Sequence, residues 1–112
     1  WNFPQKLFKL LPKKISFKKD LLIPKPYITT SYQVYKNRTK SSFELLDSIQ
    51  EDNIYRVYPH TLFCDTIIKD RCIVHDDKNI FYSDDDHPSI KGAEMINELI
   101  MKEIKKIELK SN

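Results

Sequence analysis

One glycine in 112 residues is the tightest limit this sequence sets on its own fold. Tight turns, left-handed caps and close backbone contacts call on glycine because it has no Cβ, and ordinary usage is roughly 7%. A complete α/β domain of this length needs several. The chain therefore reads as a segment of something longer, and Trp1 in the place of an initiating Met fits that reading. Its length suits one small domain and not two. The single glycine is spent at Gly92, so a missing side chain matters there.

Charge divides the chain. Residues 1–40 hold ten Lys or Arg against Asp20 alone, whereas the remainder is acidic overall and the net charge is only +3. A basic front half can meet phosphates or anionic headgroups, which makes a small polyanion-binding module one reading, through Lys6, Lys9, Lys13, Lys14, Lys18 and Lys19. The competing reading is a solvated lysine-rich face, because Phe8, Leu10, Leu11, Ile15 and Phe17 interleave with those lysines as partial core. The stacking aromatics and Gly-rich loops of nucleic-acid modules are not evident, so no nucleic-acid partner is expected. No run approaches the roughly 20 apolar residues that span a bilayer, and no apolar leader with a small-residue cleavage site is present.

Pro4 to Leu11 reads as a short helix, started by Pro4 and ended by Pro12. The Pro- and Lys-rich stretch that follows reads as irregular, giving a basic lead-in over residues 1–29. Thr30-x-x-Gln33 has the pattern of a capping box. Beyond it Tyr32, Tyr35, Thr39, Ser42, Leu46 and Ile49 recur at helical spacing and predict a helix over 31–52. Ile54 to Tyr58 alternates apolar and polar residues and predicts a strand, ended by Pro59 and His60. A loop carrying the cysteines comes next, then a short extended run over Asn79 to Tyr82. Ser89 is placed to cap a last helix whose apolar face is Ala93, Ile96, Leu99, Ile100, Ile104 and Ile107.

Cys64 and Cys72 are too far apart for a redox C-x-x-C pair, and nothing completes a zinc set around them. Two readings stand: a short disulfide loop in an oxidising compartment, or two unrelated buried thiols.

The run that carries chemistry is Phe81-Tyr82-Ser83-Asp84-Asp85-Asp86-His87-Pro88-Ser89-Ile90-Lys91-Gly92-Ala93. A carboxylate three residues before a histidine, in a turn between an extended run and a helix, lets both side chains point to one side. The carboxylate then accepts the N–H of one ring nitrogen, and the other nitrogen is left as a general base toward a hydroxyl. Bland readings compete. Acidic turns at helix entrances are favoured by the helix dipole, and the three aspartates lack the alternating ligands and turn glycine of an EF-hand.

This run resembles the last block of the SGNH hydrolase family, Asp-x-x-His followed by a small or polar residue and a helix. It is most similar to the periplasmic SGNH domains of membrane-bound O-acetyltransferases, which modify lipopolysaccharide O-antigen and other envelope glycans. Their pattern, Tyr-x-Asp-x-x-His-Leu-Ser-x-x-Gly-Ala, stands here from Tyr82 to Ala93, with Pro88 in the place of Leu. The likeness extends more loosely over residues 30–107.

The resemblance implies an α/β fold, with residues 30–112 as the C-terminal portion of a flavodoxin-like three-layer sandwich. It implies His87 as general base and acid, Asp84 as its orienting partner, and a Cys64–Cys72 disulfide facing the periplasm. The family serine sits in Gly-Asp-Ser, and one glycine already used at Gly92 cannot supply that block and the oxyanion hole as well. Serine and oxyanion hole are therefore expected in the rest of the parent. So is a membrane domain that handles the acyl donor, acetyl-CoA or a similar carrier, while a glycan accepts the group. No cofactor or metal is expected in this segment, and alone it is expected to have little activity. The place implied is the periplasmic face of the bacterial inner membrane.

Overall fold

The computed structural model describes residues 27–111. The expected helix over Pro4 to Leu11 and the six lysines named above lie outside them. Thr29 and Thr30 are β-branched, which suits extended backbone, and they begin β1 (Thr29–Ser31). This strand pairs antiparallel with β2 (Arg71–Ile73) in the register Thr29↔Ile73, Thr30↔Cys72 and Ser31↔Arg71. Arg71 reinforces the pair, its Nε donating to Thr29 Oγ1 at 2.9 Å and its Nη2 to the Thr29 carbonyl at 3.1 Å.

The other edge of β2 meets the segment around Cys64. Ile73 N donates to Phe63 O and Asp65 N to Arg71 O, both at 2.9 Å. The Cys64 and Cys72 sulfurs are bonded at 2.05 Å. Inside the loop they close, Asp65 and Asp70 adopt positive φ (59° and 58°), a conformation that Asp tolerates better than most residues. Asp70 O accepts from Tyr32 N at 3.0 Å, which ties this loop back to the end of β1, where a helix begins. Closing so short a loop removes unfolded-state entropy worth about 2–4 kcal/mol. The paired substitution Cys64→Ser with Cys72→Ser is expected to lower stability by about that much, read as a lower urea midpoint than that of the oxidised chain. An unchanged midpoint would mean the loop is held by its hydrogen bonds alone.

Helix α1 (Tyr32–Ser48) forms where the periodicity placed it, with its ends shifted. Thr30 is held in β1 opposite Cys72, so the cap passes to Ser31, whose Oγ accepts from Val34 N at 3.3 Å. Gln33 does not reach back to close a capping box; its Nε2 donates to Asn37 Oδ1 at 2.8 Å. The helix stops at Ser48 and not at 52 because Arg56 reaches across to its last carbonyls. The guanidinium donates to Leu46 O at 2.7 Å and to Ile49 O, which satisfies groups a helix end leaves without partners.

The expected strand at Ile54 to Tyr58 is not formed. No strand among the described residues pairs with it, and its polar side chains turn to α1: Tyr58 Oη donates to Asp47 Oδ1 at 2.9 Å. A 3-10 turn, Pro59–Leu62, follows. Its His60 ring sits 5.2 Å from Phe43 and 5.4 Å from Tyr35, and burial among these rings lowers the His60 pKa. The cysteine region is not loop throughout, since β2 arises within it.

After β2 the chain makes a hairpin. Phe81 N donates to Val74 O at 2.9 Å, and Asp76 Oδ1 accepts from Lys78 N and Asn79 N at 2.7 and 2.6 Å to shape its tip. The run over Asn79 to Tyr82 is extended as expected, bridged through Ile80 and Tyr82. His75, fully buried, accepts from Ile28 N at Nε2 and donates to Asp76 O from Nδ1, both at 3.0 Å.

The core is small. Phe63, Ile73 and Phe81 are buried together, with Leu62, Tyr82, Met95 and Ile96 against them. Beside them Ile28 and Val74 pack with Ile80 and Tyr82. Helix α2 (Ile90–Ser111) lays its first turns on this core but leaves Ile100, Met101 and Ile104 exposed, and α1 leaves Leu45 and Leu46 exposed. The class is mixed α/β, with one two-stranded sheet among the described residues. None of their helices is long and apolar enough to cross a membrane.

Candidate active site

The second arm of the hairpin delivers the chain to the acidic turn. Ser83 N donates to His87 O at 2.9 Å, and Tyr82 bridges Pro88, so Ser83 to His87 is a closed loop. Ser89 anchors its exit. Its Oγ donates to Ile80 O at 2.6 Å and accepts from Gly92 N at 3.1 Å, the expected helix cap. Its amide donates to Phe81 O at 2.8 Å. Gly92 faces the same carbonyl, and a Cβ built there would collide with the Phe81 carbonyl oxygen and lie 3.3 Å from Pro88 Cβ. The missing side chain therefore serves a close approach of α2 to the hairpin.

Within the loop Asp84 and His87 come together. His87 Nδ1 lies 2.9 Å from both carboxylate oxygens of Asp84. Asp84 Oδ1 also accepts from His87 N at 2.8 Å and from Asp86 N at 3.1 Å. One carboxylate thus shapes the loop and orients the ring. With Nδ1 donating, Nε2 is the accepting nitrogen, and no described residue hydrogen-bonds to it. The ring is 71% exposed and Asp84 is 48% exposed. Asp85 is exposed.

The backbone N–H groups of His87 and Asp86, followed by the ring, hold the Asp84 carboxyl far below the usual carboxylate range. The hydrogen bond to Asp84, then the charges of Asp84 and Asp86, raise the His87 pKa. A depressed carboxyl pKa gives stability above its unfolded value, and a raised imidazole pKa gives stability below its own. The interaction is therefore complete between about pH 4 and 6.5. It weakens as pH falls through the Asp84 value or rises through the His87 value.

Asp86 lies closer to the ring than a turn carboxylate needs to be, with Oδ1 2.9 Å from His87 Nδ1. Its place directly before the histidine was the only signal the sequence held for this. Asp84, Asp86 and His87 bring ligand-type atoms within 4.8 Å of one another, but Nδ1 already donates to Asp84, so the group reads as a hydrogen-bonded pair with an acidic neighbour. Beside the loop runs a hollow of about 650 Å³, walled by Phe63, Cys72, Tyr82 and Ile96 and reaching Asp85.

The family model described as "SGNH domain (fused to AT3 domains)" matches residues 3–102. No curated protein and no solved structure matches the chain. The matched span contains the pattern from Tyr82 to Ala93 together with the Asp84–His87 pair. Its family is of acyltransferase and esterase type, and the AT3 domain to which its members are fused is a membrane acyltransferase domain. With most of its length under that model, the chain belongs to the family of SGNH domains fused to AT3 domains.

Proposed function

We propose that residues 30–112 are the C-terminal part of a serine-dependent acyltransferase or esterase site and supply its Asp84–His87 pair. The observation that carries this is Asp84 on Nδ1 of His87, with Nε2 left to accept a proton. In the reaction, Nε2 takes the proton of a serine hydroxyl while the serine oxygen bonds to the acyl carbon. The donor's leaving group departs with the proton that the imidazolium returns. A sugar hydroxyl or water then attacks the acyl-serine and gives its proton to Nε2, which passes it to the serine oxygen as the acyl–serine bond breaks.

The acceptor in this reading is a cell-envelope polysaccharide of the lipopolysaccharide O-antigen type, and the group is acetyl, drawn from a carrier such as acetyl-CoA through the membrane domain. The site faces the periplasm, an oxidising compartment in which a Cys64–Cys72 disulfide persists. Serine and oxyanion hole come from the remainder of a flavodoxin-like three-layer sandwich. The exposed apolar side chains of α1 and α2 and the hollow beside the acidic loop support a larger folded unit than these residues alone.

The test is Asp84→Asn in the full-length parent, followed by acyl transfer or ester turnover. Asn can still accept the two backbone N–H bonds, but its NH₂ then meets the ring. That NH₂ favours Nδ1 as acceptor and the proton on Nε2, where the nitrogen cannot serve as base. A fall of roughly 10⁴ in turnover is expected. Turnover within tenfold of the parent would overturn the assignment.

A further inference from the structure

We propose that Asp86 is a second positioning carboxylate for the His87 imidazole, supplying countercharge on the Nδ1 side while Asp84 sets the ring's orientation. The two carboxylates stand equally near Nδ1, each with an oxygen at 2.9 Å, but they are held differently. Asp84 Oδ1 accepts two backbone N–H groups of its own loop, so its electron density is divided between shaping the loop and meeting the ring. The Asp86 carboxylate accepts no backbone donor among the described residues, and its only ion-pair neighbour there is His87. Its backbone is nonetheless fixed, because Asp86 N donates to Asp84 Oδ1 at 3.1 Å. An oxygen placed in this way meets the ring without first having to organise the loop.

A second carboxylate matters at one moment of the cycle. When Nε2 takes a proton the ring becomes a cation, and the charge facing it decides how readily it does so. The charged groups facing His87 are Asp84 and Asp86, both from its own loop. No charged side chain of another element lies within ion-pair range of it among the described residues. Asp85 sits between them in sequence and carries the same charge, but neither a hydrogen bond nor an ion pair joins it to the ring. It is the natural control.

The inference rests on His87 being the working imidazole, yet it can be read without any acyl transfer. The chain has three histidines, so the His87 ring can be followed by NMR titration of the isotope-labelled 112-residue protein in buffer free of divalent cations. The parent midpoint is expected above the ordinary imidazole value. Asp86→Asn is expected to lower the ring's proton affinity about three- to tenfold, Asp85→Asn less than about twofold, and Asp86→Glu to restore most of the loss. Unchanged His60 resonances in each variant report an intact fold. The nitrogen shifts of His87 in the neutral state are expected to keep the proton on Nδ1 in Asp86→Asn. Asp86→Asn titrating like the parent, or no further than Asp85→Asn, would overturn the role. So would a shift that Asp86→Glu leaves unrestored, since that would mark disruption of the loop. A negative titration leaves the acyl-transfer reading standing, and a full-length Asp84→Asn that keeps its turnover fails that reading without touching the Asp86 contact.

Discussion

Gly92→Ala is expected to destabilise the chain by roughly 2–4 kcal/mol, against the direction that helix propensity gives. Gly92 lies in the first turn of α2 and its φ is not positive. In an open helix Ala would gain about 1 kcal/mol over Gly. Here the added methyl meets the Phe81 carbonyl, which is backbone and cannot rotate aside. That carbonyl accepts from Ser89 N at 2.8 Å, so moving it strains the bond that fixes the loop exit to the hairpin. Phe81 itself is a buried member of the core, and the disturbance spreads there. Overpacking against fixed backbone and the loss of one buried hydrogen bond are the two costs, and both exceed the propensity gain. Denaturant unfolding should show a lower midpoint with an unchanged slope. A midpoint at or above that of the parent would mean α2 can lift from the hairpin at no cost, and the close approach would lose its meaning.

The same glycine shows why some of this structure could be read from sequence. A lone Gly one turn into a helix, after Ser89 and an Asp-x-x-His, has few reasons to be there, and close approach was the correct one. The Ser89 cap and the apolar periodicity of both helices were legible because each is a local property of contiguous residues. What failed was settled by distant partners. The capping box at Thr30 and Gln33 is a sound local pattern, but Thr30 is claimed by Cys72 across the sheet. The helix end at Ser48 depends on Arg56, and no property of residues 49–52 announces it. Ile54 to Tyr58 has a strand's alternation without a strand to pair with among the described residues, and its Arg56 and Tyr58 side chains serve α1. β2 carries no alternation to mark it: Cys72-Ile73-Val74 is a continuous apolar run, too short for periodicity to distinguish strand from loop. His75 went unmarked for a related reason: its value lies in Ile28 N, 47 residues away. In the site, the Asp84–His87 pair followed from spacing, whereas the Asp86 contact depends on how the loop closes.

Replacing His87 by Ala in the full-length protein should lower acyl-transfer turnover by roughly 10⁶ while the protein accumulates as the parent does. The two halves of that expectation have separate origins. The loop does not depend on the imidazole for its shape, because its closure runs through Ser83 N to the His87 carbonyl and through the His87 amide to Asp84 Oδ1 at 2.8 Å. Alanine retains both backbone groups. The ring is 71% exposed, so its removal opens no core cavity and stability should change by less than about 1 kcal/mol. Turnover is another matter. In the proposed reaction, loss of this base leaves the serine hydroxyl to lose its proton unaided, and loss of the acid leaves the leaving group to depart as an anion. The deficit should not deepen when Asp84→Asn is added, since a carboxylate that acts only through the ring has nothing left to orient. Independent, multiplying losses in the double variant would mean that Asp84 acts on the substrate directly, and turnover in His87→Ala within a hundredfold of the parent would place the base elsewhere in the protein.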